Sequence, residues 1–338
     1  MPTLAIHNPA TGALITELPA DDAASVAAKY AAARAAQSAW RQVPLAERRL
    51  CIERFAAAVK DQIEVLAATL TSEMGKPLQQ ARNELNGLLG RIAFFLTAWP
   101  GCVADETVFD EGGMTEVIGH DPLGVIANIS AWNYPWFVGG NVFVPALLTG
   151  NAVLYKPSEH ATLTGQHMER LLREAGVPAG VFTCLVGAGE VGRALLAQQV
   201  DGVFFTGSHA TGVAIAQTMA PRLVRLQLEL GGKDPSYVCD DADPVAAAAS
   251  LADGAMYNTG QSCCSVERIY VHEAVHDAFV AAFLKEVAGF KLGDPTADGN
   301  YIGPLTRAEI VNACDASSVS SAWWRKRFPC TPPCAPSV

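Results

Sequence analysis

Gly124-Val125-Ile126-Ala127-Asn128-Ile129, Ala152-Val153-Leu154-Tyr155-Lys156 and Gly202-Val203-Phe204-Phe205-Thr206 decide the fold. Each is a short apolar run without strict polar–apolar alternation, the pattern of a strand buried on both faces. Val181 to Val186 and Val224 to Glu229 are further candidate strands, and Ser236 to Cys239 is a shorter one. Helical stretches separate most of these runs, and strands alternating with helices build a doubly wound parallel α/β sheet. Ligands of such a sheet bind beyond the carboxyl ends of its strands, where Asn133, Lys156 and Ser208 fall.

Upstream, Asp21 to Arg41 is Ala-rich with an acidic start. Leu45 to Met74 carries apolar residues at helical spacing until Gly75 and Pro77 stop it. Met114 to Asp121 reads as a short strand. After Gly231 a second α/β unit begins, with a helix near Pro244 to Tyr257, a loop around Cys263, a strand at Arg268 to His272 and a helix from Ala274 to Ala288. Beyond about Glu309 the text changes character. Ala322-Trp323-Trp324-Arg325-Lys326-Arg327 and Pro329-Cys330-Thr331-Pro332-Pro333-Cys334 follow no helical or strand period.

A chain of 338 residues has room for two domains, and 50% hydrophobic against 17% charged residues excludes a disordered protein. With 24 basic and 34 acidic side chains the net charge is −10, which argues against nucleic acid or an anionic membrane as partner. Nine irregularly spaced cysteines do not form a secreted disulfide framework, and no basic-then-apolar leader opens the chain, so the cytoplasm is the expected compartment. The longest apolar candidate for a membrane span, Val142 to Leu148, is cut by Pro145 and Gly150. The scattered histidines, and Cys330 and Cys334 without nearby partners, give no metal site.

The chemistry centres on Cys263 in Asn258-Thr259-Gly260-Gln261-Ser262-Cys263-Cys264 and on Glu229 in Glu229-Leu230-Gly231-Gly232-Lys233. A thiol and a carboxylate brought together can form a thioester and then hydrolyse it. Taken singly, Cys263 reads as a small packed hydrophobe, Glu229 as a solvated strand end, Asn133 as a turn former before Tyr134-Pro135, and Lys156 as a solvated strand cap. Placed just before Gly231-Gly232, Glu229 is expected to face an enclosed site, where desolvation raises a carboxylate toward a useful general base. Gly187-Ala188-Gly189-Glu190-Val191-Gly192 fits a GxGxxG fingerprint, but the next strand ends in Phe205-Thr206-Gly207 without the acidic residue that fingerprint requires.

Together with Trp132-Asn133-Tyr134-Pro135, Lys156-Pro157-Ser158-Glu159 and Phe205-Thr206-Gly207-Ser208, the Cys263 and Glu229 runs resemble the NAD(P)-dependent aldehyde dehydrogenase family over about the first nine tenths of the chain. Asn8-Pro9-Ala10-Thr11-Gly12, Glu73-Met74-Gly75-Lys76-Pro77 and Gly303-Pro304-Leu305 match the family as structural signatures. The resemblance implies a Rossmann-like cofactor domain at residues 1–113 and 122–230, part of an oligomerisation hairpin at 114–121, the start of a catalytic domain at 231–308 and a divergent tail at 309–338.

It makes Cys263 the nucleophile, with Cys264 left as packing, Glu229 the base that activates water, and Asn133 an oxyanion donor beside the Cys263 N–H. Cofactor contacts are implied for Ser130, Trp132, Lys156, Ser158, Glu159, Gly189, Phe205, Thr206, Gly207, Ser208, Leu230 and Gly231. Lys156 would meet ribose hydroxyls, and the helix opened by Gly207-Ser208 would take the pyrophosphate. The loop holding Gly189 is left near the adenine. Glu159 favours NAD, with NADP as the alternative, because its charge repels a 2′-phosphate. The implied reaction is oxidation of an aldehyde to a carboxylic acid by a homo-oligomer.

The family's Glu-Ile/Leu-Phe-Gly-Pro motif does not occur after Cys263, and about a third of the family's length is missing, so the chain is expected to be truncated or frameshifted. Two alternatives stay open. One is an inactive member that binds dinucleotide or pairs with intact subunits. The other is a cofactor-independent esterase built on Cys263, Asn133 and Glu229.

Overall fold

The computed structural model describes residues 2–307. An antiparallel pair, β1 (Thr3–His7) and β2 (Leu14–Pro19), precedes four helices: α1 (Ala23–Trp40), α2 (Leu45–Asp61), α3 (Ile63–Met74) and α4 (Leu78–Cys102). A second antiparallel hairpin follows, β3 (Glu106–Glu111) and β4 (Met114–Ile118). Then strands and helices alternate: β5 (Val125–Ile129), α5 (Pro135–Leu148), β6 (Ala152–Lys156), α6 (Thr162–Glu174), β7 (Phe182–Cys184), α7 (Gly189–Leu196), β8 (Gly202–Thr206), α8 (His209–Met219) and β9 (Arg225–Glu229). The described chain ends with β10 (Asp234–Val238), α9 (Pro244–Met256), β11 (Val266–Val271) and α10 (His276–Gly289).

β5 to β9 form one parallel sheet in the order β7-β6-β5-β8-β9. The order reverses direction between β5 and β8, and that switch point opens a crevice at the strands' carboxyl ends. The doubly buried runs are explained by two cores. Ile126, Val153 and Tyr155 face the one built with α2 to α6, while Val125, Ala127, Ala152 and Leu154 face the one built with α1, α7 and α8. β10 and β11 make a separate two-stranded parallel sheet, packed with α9 and α10 around Val238, Ala248 and Phe279.

Several expectations are corrected. Val224 to Glu229 is not buried on both faces: β9 is the sheet edge, and Arg225, Gln227 and Glu229 are exposed between half-buried Leu226 and Leu228. Leu45 to Met74 is two helices, broken at Gln62, whose backbone leaves the helical region at φ −107°, ψ 15°. Pro145 lies inside α5 and does not end it. The strand expected at Met114 pairs with Glu106–Glu111, a stretch assigned above to the cofactor domain; every residue of this hairpin's strands is exposed. No described helix is long and apolar enough to cross a membrane.

The family signatures meet at one point. Gly75 ends α3 with φ +88°, a left-handed conformation that favours glycine, and a Cβ there would sit 2.7 Å from Pro304 and 3.0 Å from Pro9. One residue pair earlier, buried Glu73 accepts from the N–H groups of Leu163 and Thr164 at 2.8 Å each, satisfying the first turn of α6.

Burial pushes the Glu73 carboxyl up to about 7 from 4.5, against those hydrogen bonds. Between these values the folded chain keeps a proton that the unfolded chain has released, so stability falls as pH rises through this window. The loss is about 3 kcal/mol. Glu73→Gln is expected to remove this component, checked by urea midpoints of both proteins at about pH 5 and pH 8.

Candidate active site

The chain leaves β5 at Ile129, passes Ser130 to Tyr134 and enters α5 at Pro135, whose missing N–H suits a first helical position. The next two N–H groups, of Trp136 and Phe137, donate to Glu84 Oε1 on α4 at 2.8 and 3.3 Å. Glu84 also forms a fully buried ion pair with Lys76, whose ammonium lies 3.8 Å from the centre of the Tyr134 ring. Burial drives the Lys76 ammonium below its usual value, and Glu84 opposes that shift. The Glu73-to-Pro77 signature therefore does more than shape a turn, because through Lys76 and Glu84 it sets where α5 and the adjoining Asn133 stand. Sequence reading passed over Glu84, whose only signal is a carboxylate on the buried face of a helix.

The cysteine loop is held from several sides. Asn258 and Thr259 adopt left-handed backbone at φ +56° and +59°. Asn258 Nδ2 donates to the carbonyls of Asn133 and Gln261 at 3.1 and 3.0 Å, while its buried Oδ1 has no partner among the described residues. Its N–H donates to Gln80 on α4 at 2.9 Å. Gln261 Oε1 accepts from the Thr306 N–H at 3.0 Å, and the Thr306 hydroxyl donates to the Met74 carbonyl at 2.6 Å. On the other flank the Cys263 carbonyl approaches Gly232, where a Cβ would stand 3.0 Å away.

Asn133 Nδ2 donates to the Gln261 carbonyl at 3.0 Å, which brings the β5 loop and the cysteine loop together. An amide nitrogen carries two hydrogens, so one donor remains for a ligand. Asn133 is absent from the cavity lining. Cys263 is exposed and lines a cavity of 1180 Å³ with Tyr134, Thr206, Gln227, Glu229, Ser262 and Cys264. Cys264, expected as packing, is exposed and faces the same cavity, because the loop presents Ser262 to Cys264 consecutively.

Burial pushes the Cys263 thiol up from its ordinary value, the Cys264 thiol and Glu229 add to this, and the residue's own N–H opposes it. Glu229 is exposed rather than enclosed, since edge strand β9 turns Gln227 and Glu229 to its open face, where Gln227 Nε2 donates to Glu229 Oε1 at 3.2 Å. Burial raises the Tyr134 hydroxyl well above its usual value, which keeps it neutral.

The expected cofactor residues gather at the carboxyl ends of the strands. After β5 lie buried Ser130 and half-buried Trp132, and after β6 lie Ser158 and Glu159. Lys156 Nζ is 3.8 Å from Glu159 Oε2, and Ser158 Oγ donates to the same oxygen at 3.2 Å. Burial lowers Lys156 against the pull of Glu159; burial also works on Glu159, but its backbone N–H and Lys156 prevail and hold that carboxyl low.

After β8, Gly207 is needed because a Cβ would stand 2.5 Å from the Phe205 ring, and Ser208 caps α8 by accepting from Thr211 N at 3.3 Å. The Gly207 N–H donates to the Glu229 carbonyl at 3.0 Å, joining the ends of β8 and β9. Gly189 is exposed at the start of α7. Phe205 is buried and Leu230 half-buried in the second core, so these two shape the crevice from beneath, while Gly231 is open. A helix N-terminus, a buried ammonium and a carboxylate around a switch point fit a dinucleotide in charge and position. No group of three His, Cys, Asp or Glu side chains is placed to hold a metal among the described residues.

Fold and site define a class: a doubly wound dinucleotide-type sheet that holds an exposed thiol at the carboxyl ends of its strands. The chain belongs to the aldehyde dehydrogenase family, whose sequence profile matches residues 2–318. It is 36% identical over 326 residues to 3,6-anhydro-alpha-L-galactose dehydrogenase of Streptomyces coelicolor, covering 95% of this chain and 66% of that relative. A solved 3,6-anhydro-L-galactose dehydrogenase in complex with NAP superposes with a TM-score of 0.89 at 31% identity, over 95% of this chain and 68% of that one. An indole-3-acetaldehyde dehydrogenase in complex with NAD+ gives 0.90 at 31% identity, over 94% and 66%. The chain thus spans about two thirds of the length of these relatives.

Proposed function

We propose that this site oxidises an aldehyde to a carboxylic acid with NAD, NADP being the alternative, through a thioester on Cys263. The observation that supports it most is the Asn133–Gln261 hydrogen bond, which ties the oxyanion donor to the loop that points Cys263 into the cavity shared with Glu229. Cys263 loses its proton and its sulfur bonds to the carbonyl carbon, while the second Asn133 N–H and the Cys263 N–H stabilise the oxyanion. Ser130, Lys156, Glu159 and the Ser208 end of α8 would hold NAD, which when bound would accept the hydride released from that carbon. Glu229 then takes a proton from the water that cleaves the thioester, releasing the acid and the thiol. Exposure of Glu229 suits this role, because its water must arrive from solvent. The exposed β3–β4 hairpin, with Phe109, Met114 and Val117 uncovered, is the surface we assign to pairing with further copies.

Incubation with NAD and a panel of aldehydes is expected to yield NADH and an acyl adduct on the Cys263 peptide. Glu229→Gln is expected to slow turnover about 100-fold and to let the adduct accumulate, as loss of a general base demands. Intact-mass spectra without adduct in either protein, together with no NADH, would overturn the reading.

A further inference from the structure

The cavity that opens onto Cys263 carries several cations, and their partners differ. Arg41 is paired with Asp121 at 3.0 Å. Arg48 is committed to the carbonyls of Leu148, Trp40 and Arg41 at 2.9, 3.5 and 3.3 Å. Arg91 lines the same cavity from α4, and among the described residues its guanidinium has neither a hydrogen bond nor an ion pair. It is held instead by aromatic faces, 5.8 Å from the centre of the Phe94 ring and 5.2 Å from that of Phe137.

Phe137 is itself anchored, since its N–H is bound by Glu84, and it lines the cavity beside Tyr134 and the cysteine loop. A half-buried guanidinium lying over two rings is restrained by them, and Arg91 borders the cavity with its N–H groups unspent among the described residues. An aldehyde without charge leaves those groups facing an apolar chain, whereas a carboxylate fits them with two parallel hydrogen bonds.

We infer that Arg91 selects the substrate: the aldehyde taken at Cys263 carries a carboxylate at its far end, bound by Arg91, with the linking chain lying along Phe137 and Tyr134. This deepens the aldehyde oxidation proposed above and rests on the same cavity, but the recognition step needs neither hydride transfer nor a thioester.

The test therefore reads binding first. Alkylation of Cys263 by iodoacetamide, followed on its peptide by mass spectrometry, is measured with and without glutarate, a stand-in for the carboxylated product, and with 1,5-pentanediol as the uncharged control. Glutarate is expected to slow alkylation and the diol not. Arg91→Gln is expected to weaken glutarate protection about 10- to 100-fold, the size of a hydrogen-bonded charge, and Arg91→Lys to restore part of it. Thermal midpoints of the variants report whether the fold is intact.

In turnover, the preference for an aldehyde with a terminal carboxylate over its methyl ester is expected to fall by a similar factor in Arg91→Gln. Absent protection in the original chain, or equal protection in Arg91→Gln, overturns the inference. Arg91-dependent protection without any NADH or adduct would instead sustain it and overturn only the oxidation.

Discussion

Glu84→Ala is expected to destabilise the chain by roughly 3–5 kcal/mol, the cost of stranding one member of a buried ion pair. The variant leaves the Lys76 ammonium fully buried against the Tyr134 ring with no carboxylate, and it orphans the N–H groups of Trp136 and Phe137 at the start of α5. Both losses fall where water cannot replace the missing oxygen, because Lys76 and Glu84 side chains are 0% exposed. Urea midpoints measure the loss. The double variant Lys76→Met with Glu84→Leu is expected to be less destabilised than Glu84→Ala, since replacing both charges removes the stranded one. A Glu84→Ala midpoint within about 0.5 kcal/mol of the original chain would contradict the capping role.

Cys263→Ala is expected to lower aldehyde-dependent NADH formation at least a thousandfold and to abolish the acyl adduct, because the sulfur is the atom that bonds to the substrate in the proposed route. Its stability is expected to change by about 0.5 kcal/mol or less, since Cys263 is exposed and fills no core position. Cys264→Ala is the control: Cys264 faces the same cavity but follows the expected nucleophile by one residue. If instead Cys264→Ala removed the adduct while Cys263→Ala kept it, the nucleophile would be reassigned. The raised Cys263 thiol implies that alkylation keeps accelerating as pH climbs above the usual thiol range.

The parallel sheet was legible because its inner strands β5 and β6 are apolar on both faces, the pattern of strands covered by helices on each side. Ala152–Lys156 and Gly202–Thr206 match their expected bounds, and Cys263 and Glu229 reach a common cavity. The β1–β2 hairpin and α4 were not read. β1 and β2 alternate as a largely exposed ribbon, and α4 mixes buried Gln80 and Glu84 into its inner face, which blurs its apolar period. Glu229 ends Val224-Arg225-Leu226-Gln227-Leu228-Glu229, whose strict apolar–polar alternation is the local sign of a strand with one open face, so its exposure on the sheet edge follows from its own sequence.

The sequence alone determined the strand–helix alternation and the signatures around Pro9, Gly75 and Pro304, and it singled out Cys263 and Glu229 as candidates, since each depends on residues close along the chain. Only the tertiary structure decided that Lys76 and Glu84 brace the entry to α5, that Asn133 reaches Gln261, that Cys264 shares the cavity and that Arg91 stands without an anion among the described residues. Such facts depend on which segments distant in sequence come within hydrogen-bond reach. That is fixed by packing of the whole core and by no local pattern.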